Sequence, residues 1–268
     1  MRRTSALLIT GLIALTLAAP AAAITNGTPD GDNHPYIGLA VFDVGGAPSH
    51  RCSASLLTPT VVLTAAHCTV GTSAARVWFD EVVQGNLEYP LSGPSSYDGQ
   101  AFTHPDFCNP CAGGLPGFAL HDIGVIVLSE PVPGSVVSEF VQLPSVGAVG
   151  DLGQNAILDY VGYGVNQRFV GGGPPVWGGP RVRLAATGQL IAPNRFVHAA
   201  QVIKYSLNPA QGKGGTCFGD SGGPDLIGGT DTVVAINSYV TNSNCAGVGY
   251  SSRVDVASHL AWISTFLP

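Results

Sequence analysis

Residues 216–224 read TCFGDSGGP, a run in which the hydroxyl of Ser221 follows Gly219 and Asp220 and precedes the pair Gly222-Gly223. A serine hydroxyl is a weak nucleophile until a positioned imidazole takes its proton, and the imidazole needs a carboxylate to fix its tautomer and stabilise its cation. If Ser221 is a nucleophile, the rest of the chain must supply both groups. LTAAHC, residues 63–68, carries His67; HDIGVIVL, residues 121–128, sets Asp122 at the head of an apolar run. Taken singly, these are a histidine beside a core strand, a turn aspartate and a flexible glycine loop. Taken together, they are the three groups that the chemistry requires.

The same stretch also satisfies G-x-S-x-G, the nucleophile elbow of lipases and esterases. In that arrangement the acid and then the histidine follow the serine, so the candidates become Ser221, Asp231 or Asp255, and His259. Only 47 residues follow Ser221, and Gly222-Gly223-Pro224 does not open the helix that an elbow feeds.

Around these motifs the composition favours strands. Hydrophobic residues make up 45% of the 268 residues and charged residues only 10%, with 36 Gly and 20 Pro, which suits many short strands joined by turns. The apolar runs are YIGLAVF, SASLLTPTVVLTAA, AARVWF, IGVIVL, AILDYVGYG, RVRLAATGQL, VIKYSL and TVVAINSYV, each bounded by Gly, Pro, Asn or Asp. VGGGPPVWGGP, residues 170–180, reads as a loop. Only the tail reads as helix: Val256, Leu260, Ile263 and Leu267 share a face, with Asp255 placed to cap it and His259 as a surface or packing residue. A net charge of −6, with Lys204 and Lys213 the only lysines, argues against a nucleic-acid partner.

The amino terminus reads as a secretion signal, with Arg2 and Arg3, an apolar run from Ala6 to Ala19, and a small-residue cleavage site at Ala21-Ala22-Ala23. The stretch from Ala6 to Ala23 approaches spanning length, but it ends in small residues and a proline with no stop-transfer charge, so an uncleaved anchor is the weaker reading. Cleavage after Ala23 would free Ile24. An exported chain favours disulfides, and Cys52, Cys68, Cys108, Cys111, Cys217 and Cys245 allow 15 pairings that spacing alone does not resolve. Cys108-Asn-Pro-Cys111 lacks the second ligand pair of a zinc site and the helix of a redox motif, which leaves a small loop staple as its plainest reading.

The histidine, aspartate and glycine-flanked serine motifs, in that order, resemble those of the chymotrypsin-like (trypsin-fold) serine proteases, and the resemblance runs from Ile24 to the terminal helix. It implies a secreted, bacterial-type member with an all-β fold: two packed six-stranded antiparallel β-barrels and a C-terminal α-helix, with residues 24–140 forming the first barrel and 141–268 the second. It implies that Ser221 attacks, His67 shuttles the proton, Asp122 holds His67, and the Gly219 and Ser221 amides bind the oxyanion. It pairs Cys52 with Cys68 and Cys217 with Cys245, and leaves Cys108 and Cys111 as an extra local bridge. It also makes Ile24 and Asp220 an activation pair, in which the freed ammonium of Ile24 binds the acid beside the nucleophile and orders the oxyanion turn. Because only a signal precedes Ile24, export and activation are expected to be one cut.

For specificity, the resemblance puts Gly215 at the pocket floor, where trypsin-like members hold an aspartate, so poor cleavage after Arg or Lys is expected. Ser238, Tyr239 and Val240 form one wall, with Ser238 touching the aspartate and Val240 narrowing the pocket; Gly249 keeps the opposite wall open. Small to medium apolar side chains are then the expected substrates. Ser53 stands where the family usually has glycine. No cofactor or metal is needed, no loop is rich enough in carboxylates to hold calcium, and the expected partners are protein or peptide substrates of a monomer with no membrane contact once the signal is removed. A protease-like protein that only binds is the remaining alternative, and such proteins usually carry a substituted triad residue.

Overall fold

The computed structural model describes residues 24, 26–112, 118–165, 167–169, 176–178, 180–191, 196, 198–208 and 213–268. The expected signal, residues 1–23, lies outside them. Among the described residues, no helix is long and apolar enough to cross a membrane.

A short first strand, β1 (Thr28–Pro29), precedes the first barrel. That barrel is built from β2 (Ile37–Val44), β3 (Ala47–Thr58), β4 (Val61–Thr64), β5 (Ala74–Trp78), β6 (Ser96–Thr103) and β9 (Gly124–Leu128), closed in the order β2-β3-β4-β9-β6-β5. Between β6 and β9 a separate hairpin forms from β7 (Cys108–Ala112) and β8 (Phe118–Leu120). Leu39, Leu56, Leu63, Val77, Trp78, Val125 and Ile126 on its strands are fully buried and belong to one hydrophobic cluster. One turn of helix, α1 (Ala66–Thr69), follows β4.

The second barrel comprises β10 (Ile157–Gly162), β13 (Leu184–Leu190), β14 (Val202–Leu207), β15 (Pro224–Ile227), β16 (Val233–Val240) and β17 (Gly247–Arg253). They pair in the order β13-β10-β15-β16-β17-β14, and pairing of β14 with β13 closes the ring, with β1 added on the outer side of β13. A period of two is plain in β14, where Ile203, Tyr205 and Leu207 are buried while Lys204 and Ser206 are not. A second core of Leu158, Tyr160, Ile203, Tyr205, Leu207 and Val234 results. The remaining elements are α2 (Ala148–Asp151), the pair β11 (Gln167–Phe169) and β12 (Val176–Gly178), and α3 (Ala257–Ser264).

A buried guanidinium fastens the two barrels. Arg183, just before β13, pairs with Asp30 at 2.9 Å and donates to the carbonyls of Phe79 (3.0 Å), Ile37 (3.3 Å) and Gly31 (2.7 Å). Every part of that cation therefore has an acceptor, which is what allows it to be buried at all.

Several expectations need correction. Val176–Gly178 is strand β12, paired with β11, although the composition there reads as loop; residues 170–175 and 179 lie outside the described ones. Asp255 does not cap α3: its carboxylate is held by the Arg253 guanidinium (2.7 and 2.8 Å) and accepts the Val149 N–H (2.8 Å), a stronger set of partners than one helix end offers. His259 is fully buried, so it is not a surface residue. The disulfides Cys52–Cys68 and Cys217–Cys245 are present, but Cys108 and Cys111 are both free. The Cys111 thiol instead donates to the carbonyls of Cys108 (3.3 Å) and Phe118 (3.9 Å), within the hairpin that β7 makes with β8.

Candidate active site

Strand pairing brings the histidine and aspartate motifs together. Thr64 on β4 lies opposite Gly124 on β9, so His67, three residues beyond one, meets Asp122, two residues before the other. The His67 backbone N–H donates to Asp122 Oδ1 at 2.7 Å, and its ring Nδ1 lies 2.8 Å from Oδ2. The Ser238 hydroxyl on β16 donates to the same Oδ2, so the second barrel also grips this carboxylate. An ionised carboxylate only accepts, so Nδ1 must carry the ring proton, and Nε2 is left as the basic nitrogen.

Electrostatics follow from burial and pairing. Burial pushes the Asp122 carboxyl up, but the His67 charge and the hydrogen bonds from His67 and Ser238 outweigh it and hold the group below the usual carboxylate range. Burial likewise opposes charge on His67, yet Asp122 outweighs it and raises the imidazole above its ordinary value. The pair thus makes charge on His67 easier to carry than it is for a free imidazole.

The serine turn is pinned on all sides. Asp220, fully buried, accepts the Gly164 N–H on Oδ1 and the Cys217 N–H on Oδ2, each at 2.9 Å. Gly219 (φ 93°) and Gly222 (φ 78°) lie in the left-handed region, and a Cβ on Gly222 would come within 2.1 Å of Thr64 Oγ1. The N–H groups of Asp220, Gly222 and Gly223 are bonded to the carbonyls of Cys217, Asn237 and Asp220. By contrast, among the described residues, the N–H groups of Gly219 and Ser221 have no partner. The loop thus satisfies its other backbone donors and leaves these two, on Gly219 and on Ser221 itself, without an acceptor in the protein.

Ser53 on β3 is the residue whose part sequence reasoning left open. Its N–H donates to the Ser221 carbonyl (2.8 Å), its hydroxyl donates to the Gly219 carbonyl (3.1 Å), and that hydroxyl accepts the Tyr163 N–H (2.9 Å). The first barrel thus holds the turn of the second through the backbone and side chain of one residue. The only signal in the sequence was the departure from glycine.

Ser221 lines a cavity of about 160 Å³ with Cys217, Asn237, Ser238, Tyr239 and Val240. His67 and Asp122 line a neighbouring cavity that shares Ser238, Tyr239 and Val240, so the end of β16 is the common wall. Among the described residues, the Ser221 hydroxyl makes no hydrogen bond to His67 or to any other group.

Two expected pocket residues sit elsewhere. A Cβ on Gly215 would come within 2.1 Å of Leu207, and one on Gly249 within 2.3 Å of the Tyr205 ring, so these glycines make room for core side chains of β14; neither lines the cavity. Thr216 and Asn237, which do line the cavity, are tied together from the core: Tyr205 Oη bonds Thr216 Oγ1 at 2.5 Å and Asn237 Oδ1 at 3.2 Å.

The elbow reading is not assembled. Asp231 accepts the Tyr36 hydroxyl, Asp255 is held by Arg253, and His259 donates through Nδ1 to the Arg253 carbonyl (2.6 Å). Burial pushes the His259 imidazole down to about 4, which makes it a poor base.

Comparison with known proteins identifies the family and the fold. The family model described as Trypsin matches residues 25–263. The chain belongs to the trypsin family. Among curated trypsin-family relatives, it is 31% identical over 247 residues to coagulation factor XII of Bos taurus, covering 86% of this chain and 37% of that protein. It is 26% identical to phenoloxidase-activating factor 3 of Holotrichia diomphalia, covering 88% of this chain and 70% of that protein. Trypsin beta of Drosophila erecta is also 26% identical, with 78% and 77% covered. These relatives are insect and mammalian, so they give no support to a bacterial-type member. Among solved structures, HL collagenase superposes with a TM-score of 0.64 at 19% identity, over 92% of this chain and 95% of that one, a likeness of fold.

Proposed function

We propose that this trypsin-family chain is a secreted serine endopeptidase in which Ser221 is the nucleophile, His67 the general base and Asp122 the group that orients it. The observation that carries this reading is the pair of unpartnered N–H groups, Gly219 and Ser221, flanking the Ser221 hydroxyl in a loop whose other donors are satisfied. Ser221 Oγ attacks the peptide carbonyl and its proton passes to His67 Nε2. The oxyanion is received by the two N–H groups, each worth about 2.7 to 4 kcal/mol of barrier. The imidazolium, stabilised by Asp122, then protonates the leaving amine, and water releases the acyl group with His67 again as base.

No carboxylate is among the described residues lining the cavity, so a lysine or arginine side chain would be desolvated there without a counter-ion. Small to medium apolar side chains fit better. Tyr239, stacked on Tyr250 at 5.1 Å, gives that wall a fixed aromatic face.

Activation is read as one cut after Ala23. Ile24 is fully buried and belongs to the second core, with Val149, Leu158 and Tyr160. Burial pushes the Asp220 carboxyl up to about 7 despite hydrogen bonds from Cys217 and Gly164 and the nearby charge of Arg51. A freed Ile24 ammonium that paired with this carboxylate would offset the burial and lower that value.

The second reading, a protease-like protein that only binds, draws on the missing Ser221–His67 hydrogen bond. A panel of peptide amides and esters that vary only at the cleaved residue separates the two. Amide turnover that Ser221→Ala abolishes supports the endopeptidase, whereas binding without turnover by protein starting at Ile24 supports the binder.

A further inference from the structure

Three histidines from three parts of the chain converge, one of them next to Asp122 in sequence. His104 follows β6, His121 immediately precedes Asp122, and His259 lies in α3. Their ring centroids are 5.1 to 5.2 Å apart in every pairing, and one ligand nitrogen from each lies within 4.8 Å of the other two. His121 Nδ1 is 3.0 Å from His259 Nε2. Bound zinc sits about 2.0 to 2.1 Å from each imidazole nitrogen, which in a tetrahedron spaces the donors roughly 3.3 Å apart. One pair is already near that spacing.

We propose that His104, His121 and His259 form a binding site for a borderline divalent transition metal of the zinc type, with a fourth position open to water. The neighbours of two of the rings hold them as such a site requires, while His104 Nδ1 accepts the Asp106 N–H at 3.2 Å and must give up that bond when His104 binds the ion. His259 donates Nδ1–H to the Arg253 carbonyl at 2.6 Å, which leaves the Nε2 lone pair aimed at the cluster. His121 Nε2 lies 3.2 Å from the Gln201 carboxamide, whose Oε1 is buried and has no hydrogen-bond partner. A half-turn of that carboxamide would let Oε1 accept from His121 Nε2–H, giving Oε1 the partner it lacks and freeing Nδ1 as a ligand. His104 and His259 are buried, while His121 is partly exposed and gives the ion a way in. With nitrogen donors alone, calcium and magnesium are disfavoured. The site does not depend on the protease reading.

Metal uptake by the purified full-length chain, stripped with a chelator, tests this with Zn²⁺ by calorimetry and with Co²⁺ by its visible spectrum. The expected result is one ion per chain, a four-coordinate cobalt spectrum, and a raised melting temperature with Zn²⁺. His121→Asn, at a partly exposed position with φ 53° that asparagine tolerates, should weaken binding by about 100-fold or more while the apo protein stays folded. Gln201→Met should weaken it by about tenfold. Absence of stoichiometric binding would overturn the site, and so would unchanged affinity in His121→Asn. Binding lost instead in Cys108→Ser/Cys111→Ser would place the ion on the free thiols and would equally reject it.

Discussion

The Ser53 hydroxyl on the first barrel donates a 3.1 Å hydrogen bond to the Gly219 carbonyl on the second. That bond fixes the peptide next to one of the two donors proposed to bind the oxyanion, while the same oxygen accepts the Tyr163 N–H. Ser53→Ala should therefore lower kcat by roughly three- to tenfold with little change in KM, the size of one net hydrogen bond. Steady-state kinetics on a peptide amide checks this, and a rise in KM at constant kcat would assign Ser53 to substrate binding instead.

Asp122→Asn should cost about 10⁴-fold in kcat. An amide at 122 can donate, which allows His67 to hold its proton on Nε2, the wrong nitrogen for accepting one from Ser221. Melting temperature measured alongside should stay close to that of the wild type.

Asp225 on β15 is fully buried, and burial pushes its carboxyl up to about 8, with Tyr160 and Tyr205 nearby. A folded-state value above the unfolded one means that the fold binds the proton more tightly. This contribution is greatest in acid and is lost as pH rises from about 4 through about 8. Asp225→Asn should flatten the fall in melting temperature over that range, and denaturation measured at pH 5 and pH 9 would show it.

The clamp between the barrels predicts a large loss on breaking one side. Asp30→Ala leaves the Arg183 guanidinium buried without its carboxylate and should cost about 3 to 5 kcal/mol in urea denaturation. A loss under about 1 kcal/mol would mean that the backbone acceptors alone hold the arginine.

Legibility in the sequence tracked hydrophobic pattern. Runs such as YIGLAVF and VIKYSL became β2 and β14 because alternation or a continuous apolar run shows wherever a strand borders a core. SYDGQAFT (β6), PDLI (β15) and GVGYSSR (β17) carried no such signal: polar residues, glycine and short length hid strands that barrel closure imposes. The motifs placed His67 beside Asp122, and two disulfides formed as the resemblance implied. The pocket was less legible, because whether a glycine opens a wall or makes room for a neighbour depends on which way Leu207 and Tyr205 point. The Arg183 clamp joins residues 153 apart in the chain and has no local pattern at all.

The central claim is that Ser221 is a nucleophile activated by His67. Secreted protein confirmed to begin at Ile24 should be treated with a serine-directed phosphonate carrying an apolar side chain, and its intact mass and peptide map recorded. One adduct per chain, on Ser221 and absent after His67→Ala, is the predicted result. A folded, Ile24-initiated protein that takes up no label, or takes it up at another residue, would contradict the account.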